Sequence, residues 1–130
     1  MGFVYRLGIN DRNKRGDTIM GFYMLQGRYS QTAMRNLVAV PEDRSRAAAD
    51  IVKAAGGKMH SFFNSFGEYD FLVIMELPDD QAAGAVSMAG GSAGHIGDLK
   101  TTKLFTGSEA KAAMKAASEV ATSVRPPKGK

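Results

Sequence analysis

From Tyr69 to Leu77 the chain alternates, yet both sets of alternating positions carry large apolar side chains. Tyr69, Phe71, Val73, Met75 and Leu77 fall on one side, and Leu72 and Ile74 on the other beside Asp70 and Glu76. Successive side chains of a strand point to opposite faces, so a segment written this way wants cover on both. One layer of helices supplies only half of that, and the rest of the chain must be read for what lies on the second face.

Immediately upstream, Met59–Phe66 alternates in part. It places His60, Phe62, Asn64 and Phe66 on one face and Met59, Ser61, Phe63 and Ser65 on the other. Gly67 interrupts the pattern, so the two segments pair as a hairpin. Ile19–Gln26 is a short run of large apolar and aromatic residues ending at Gly27, which predicts a buried strand. Ser30 can cap a short helix containing Met34 and Leu37 that Pro41 breaks, with Glu42 and Asp43 then suited to a helix N-terminus. In the next helical piece Ala47, Ala48, Ile51, Val52 and Ala55 form one stripe, Arg46 and Asp50 an i,i+4 pair, and Gly56-Gly57 the stop. Pro78-Asp79-Asp80 starts a helix with the stripe Ala82, Ala83, Val86 and Ala89, ended by Gly90-Gly91. Lys100–Thr106 alternates as a fourth strand, and Ser108 caps a last helix with the thin seam Ala110, Ala113, Met114, Ala117 and Ala121. Such a helix is marginal alone and is expected to dock on the domain or on a neighbouring subunit.

Strand, helix, strand, strand, helix, strand is the split β-α-β order of a ferredoxin-like α+β domain: a four-stranded antiparallel sheet with its helices on one face. The hairpin aromatics Phe62, Phe63, Phe66, Tyr69 and Phe71 exceed what two alanine-rich helices can cover. A second copy of the sheet is the simplest cover for the other face, and a sheet-on-sheet core can enclose an apolar pocket with a few polar groups.

With 130 residues there is room for one modest domain, and the expected division is a flexible lead-in at 1–18, the domain at 19–106, a C-terminal helix at 107–124 and a tail at 125–130. The formal charge of +4 sits at the ends. Residues 1–18 hold four Lys/Arg against two acids, 19–106 eight against nine, and 107–130 five against two, so specific nucleic-acid binding is not expected. No apolar run is long enough to cross a bilayer and no signal-peptide core opens the chain, which predicts a cytoplasmic protein without a membrane partner. The absence of cysteine excludes disulfides, thiol nucleophiles and thiolate-bound metals.

Several of these residues carry a resemblance. Gly56-Gly57-Lys58, Phe62-Phe63, Gly67-Glu68-Tyr69-Asp70, Leu77-Pro78-Asp79-Asp80 and Thr101-Thr102-Lys103-Leu104-Phe105, in that order, resemble the GYD-domain family of small bacterial proteins over about residues 20–110. The resemblance implies a ferredoxin-like domain of the dimeric α+β barrel type and no particular activity.

Candidate chemistry is sparse. Gly67, Tyr69 and Asp70 read either as turn chemistry, with Asp70 satisfying local backbone donors, or as the mouth of a pocket in which a carboxylate acts as base or binds a polar group. Adjacent residues point to opposite faces, so Tyr69 and Asp70 should not both line one pocket. His60 shares a predicted face with Phe62 and Phe66 and is the polar group such an aromatic pocket would contain; His95 lies in a glycine-rich loop. Two histidines without Cys and without HxH or HxxH spacing give no metal site, and no cofactor is implied. The eight methionines fit core filling. The expected function is a homo-oligomer that binds a small, partly apolar molecule in a sheet-side cavity through His60, Phe62, Phe66, Gly67, Tyr69 and Asp70. One alternative is a cofactor-free oxygenase- or isomerase-like enzyme with His60, Tyr69 or Asp70 as acid–base group. The other is a structural assembly protein whose terminal helix joins dimers.

Overall fold

Two central strands organise the molecule. In the computed structural model, which describes residues 20–129, β1 (Gly21–Tyr29) pairs antiparallel with β3 (Phe71–Leu77) on one side and β4 (Ile96–Leu104) on the other, and β2 (Lys58–Asn64) flanks β3. The sheet order β2-β3-β1-β4 is that of a ferredoxin-like α+β domain. The expected lead-in at 1–18 lies outside the described residues.

Helices α1 (Gln31–Ala39), α2 (Ser45–Ala54) and α3 (Asp80–Ser92) join the strands, and α4 (Gly107–Val120) follows β4, continued by a short 3₁₀ turn at Ala121–Ser123. The core forms where α2 and α3 cover one sheet face. Val52, Ala83 and Val86 bury against Tyr23, Leu25, Phe71, Val73, Met75 and Leu77. The registers Tyr23↔Met75 and Leu25↔Val73 place these strand residues on that one face, and Phe22, Met24, Glu76 and Ile74 on the other.

Local boundaries depart from the sequence expectation for physical reasons. Gly27 does not end β1: a Cβ there would stand 2.4 Å from Phe71 Cζ, so the glycine is the gap that lets this ring pack across the strand. Gly90-Gly91 does not end α3, which runs to Ser92 with both glycines near the Leu99 side chain. The fourth strand starts at Ile96 and ends at Leu104. The cap of α4 is Thr106, whose hydroxyl accepts from Glu109 N while Glu109 Oε1 accepts from Thr106 N. β2 carries a bulge between Met59 and Ser61.

The open face is lined by half-buried Phe22, Met24, Leu72, Ile74 and Leu104. Away from the sheet, α4 is exposed from Lys111 onward, with Met114 69% and Val120 66% exposed. Its seam docks on no described part of the domain.

Candidate functional site

A cleft opens where the sheet ends under α1. Its walls come from the end of β1, from α1, from the α1–α2 connection and from the β2–β3 loop, with a volume of about 470 Å³. Met34, Leu37, Pro41 and Phe66 supply apolar surface; Tyr29, Glu42, Arg44, Asn64 and Asp70 supply polar groups. That mixture of an apolar body and a few placed polar groups suits a small organic molecule.

Tyr29 is the centre of the arrangement. Its ring lies 5.1 Å from that of Phe71, which in turn stacks with Phe62 at 6.1 Å. Burial raises the pKa of its hydroxyl above the ordinary tyrosine value, while the Arg44 charge and the Asn64 amide pull it back down. The hydroxyl therefore stays protonated and serves as a hydrogen-bond donor or acceptor at neutral pH. Arg44 Nη1 lies 2.8 Å from Glu42 Oε2, which pairs the Arg44 guanidinium in the wall.

Asp70 lines this cleft, but its carboxylate is committed to the fold. Oδ2 accepts from the Tyr29 N–H at 2.9 Å, just where β1 shifts register against β4 between Arg28 and Tyr29. Its own N–H donates to Gly27 O, and its carbonyl accepts from Ser65 N. These bonds tie the start of β3 to the end of β1 and close the hairpin loop. Gly67 sits in that loop at φ +148°, a conformation favouring glycine, with open space where a Cβ would point.

Of the six expected ligand-binding residues, Phe66, Gly67 and Asp70 meet in this cleft. Tyr69 lies apart from it, its ring under the Arg28 guanidinium at 5.7 Å. Phe62 lines a neighbouring shallow depression with Pro41 and Asn64. His60 is on the opposite side of the sheet. The bulge at Met59/Ser61 puts Met59 and Phe62 over the core, so His60 and Phe62 do not share a face as simple alternation predicts. His60 instead pairs through Nε2 with Glu76 Oε1 at 2.8 Å and lies 5.2 Å from the Phe22 ring, on the open face. The three proposed acid–base groups thus occupy three different settings. Among the described residues no three His, Asp or Glu side chains gather as a metal-binding group.

Periodicity marked neither Tyr29 nor Arg44, and gave Asn64 only a place on an alternating face. They come from three separate elements and meet only in the fold. The available signal was indirect: Pro41 followed by charged residues marks a connection beside the end of the first strand.

Comparison with known proteins adds a family and a fold. A GYD domain model matches residues 23–114. No curated protein matches the chain. A solved structure, that of MtbAldR, shares the fold with a TM-score of 0.50 at 10% identity, covering 77% of this chain and 63% of that one. At that identity the likeness concerns the fold alone, and this chain spans 63% of the length of the solved one. Among the described residues no helix is long and apolar enough to cross a membrane.

Proposed function

The chain belongs to the GYD domain family, and on that premise we propose that it binds a small, partly apolar molecule in the cleft beneath α1, as part of a homo-oligomer. The observation that carries this reading is Tyr29, a half-buried phenol flanked by Asn64 and Arg44 at the edge of a cleft lined by Met34, Leu37 and Phe66. Polar groups gathered at the rim of an apolar cleft favour a ligand that offers both kinds of contact. The cavity that a single chain already forms is on the helix side. A cavity on the open sheet face, as first expected from the sequence, would need the second copy to close it.

Titration with phenol, followed by backbone amide shifts, tests the reading. Binding should move amides of Tyr29, Met34 and Asn64; shifts confined to the open-face residues Phe22 and Ile74 would overturn it. Native mass spectrometry of the same sample reads the subunit number, and a monomer would remove the homo-oligomeric part.

A second reading, a protein that assembles through its terminal helix, is favoured by one feature: α4 opens on a complete capping box yet carries its apolar seam exposed from Lys111 onward. Deleting residues 107–130 should lower the particle mass beyond the loss of the segment itself, and an unchanged subunit number would argue against it. The acid–base alternative has less to rest on, since the Asp70 carboxylate accepts the Tyr29 N–H and His60 lies across the sheet.

A further inference from the structure

Helix α1 has no buried residue, although its Ser30 cap and its connections hold it over the end of the sheet. A second depression, of about 480 Å³, lies on its other flank. Tyr29, Leu37, Glu42 and Arg44 line both hollows, so the two adjoin along these residues, one on either flank of α1. Their chemistry differs. At helical spacing α1 turns Met34 toward the first, whose other walls include Pro41 and Phe66, and turns Thr32 and Asn36, four residues apart, toward the second, which His95 also lines.

We infer, resting on the ligand-binding reading above, that the cleft takes an elongated, uncharged amphiphile: an apolar segment against Met34 and Phe66, and a hydroxyl- or amide-bearing head among Thr32, Asn36 and His95. The charge balance sets the uncharged part. Along the lining Glu42 and Asp70 set two carboxylates against the Arg44 guanidinium, which already holds Glu42 at 2.8 Å, so an anionic head meets no net positive charge there. The ligand also supplies the packing that α1 lacks, so binding should order that helix.

Three probes with one tail test this: 1-hexanol, hexyl β-D-glucoside below its micelle concentration, and hexanoate, with affinities from calorimetry and amide hydrogen exchange read along α1. The glucoside should bind about tenfold more tightly than hexanol, the return of one or two net hydrogen bonds, and hexanoate most weakly. Exchange at Met34–Leu37 should slow on binding. The double variant Thr32→Val, Asn36→Leu should erase the glucoside's advantage over hexanol, since these side chains line the head compartment and not the apolar one. If hexanol binds the cleft but the glucoside binds no better, or keeps its advantage in the double variant, the head compartment is overturned while the ligand-binding reading stands. If hexanoate binds tightest, the uncharged assignment fails. If no probe binds and α1 exchange is unchanged, the ligand-binding reading itself fails.

Discussion

β3 offers similar side chains to two different surroundings. On one side Val73, Met75 and Leu77 are 2%, 0% and 0% exposed beneath α2 and α3. On the other, Leu72 and Ile74 are half-buried, covered at their flanks by neighbouring strands and by nothing above them among the described residues. Burial in this sheet follows the layer overhead and not the hydrophobicity of the residue, and an apolar face of this kind is the surface a second copy would cover. The contrast can be broken at its strongest point first. Met75→Ala should cost about 2–5 kcal/mol in denaturant unfolding, as removal of a fully enclosed side chain does. A cost under about 1 kcal/mol would mean that the helix-covered face is not the core.

Ile74→Lys probes the other side of the same strand. A lysine can extend into solvent from a half-buried position, so the fold should survive with a stability change well below that of Met75→Ala. Self-association through this face should be lost, and sedimentation velocity should show a monomer where the unmodified chain is larger. An unchanged particle would move the interface elsewhere, with α4 next in line.

The two faces also differ in what their polar residues do. Asp70 holds the end of β1 through the Tyr29 N–H, whereas His60 pairs with Glu76 on the exposed side. Asp70→Ala should therefore cost about 1.5–3 kcal/mol, with Asp70→Asn recovering part because it keeps an acceptor. His60→Ala should cost no more than about 1 kcal/mol, the usual worth of a solvent-screened pair. Equal costs, read from chemical denaturation of the three variants, would remove the assignment of Asp70 as the structural member of the family motif.

Much of this was legible in the sequence, and the rest was hidden for identifiable reasons. Period-two runs and helical stripes are local, so the four strands, the alanine-striped α2 and α3 and hence the ferredoxin-like order could be read directly. The facing of His60 could not, because one extra residue in β2 reverses every side chain on its far side and nothing in Met59-His60-Ser61 announces a bulge. Gly27 looked like a strand end because its partner, the Phe71 ring, is 44 positions away in the chain and adjacent only in the sheet. The cleft is the extreme case: Phe66, Gly67 and Asp70 were visible as a loop motif, but Tyr29, Arg44 and Asn64 become a site only when three elements converge.

The smallest expected effect is a pH dependence of the covered face. Tyr23 is 3% exposed on the covered side, its hydroxyl donating to Asp80 Oδ1 at 2.5 Å with Lys103 Nζ 3.3 Å away. Burial first, and then the Asp80 carboxylate, push its pKa far above the ordinary value of 10.0. Tyr29 is shifted in the same direction, again by burial first. A phenol whose folded pKa exceeds its unfolded one binds its proton more tightly in the folded state. Its contribution is fully present below pH 10 and drains away above it, as the unfolded chain releases the proton first. Tyr23→Phe keeps the ring, so at neutral pH it should cost only about 1 kcal/mol for the lost hydrogen bond. Above pH 10 the variant should lose stability with a shallower slope than the unmodified chain, and the two curves should converge. Parallel curves would mean that Tyr23 titrates as freely as an exposed tyrosine, and the Asp80–Tyr23–Lys103 contact would then not tie the start of α3 to the sheet.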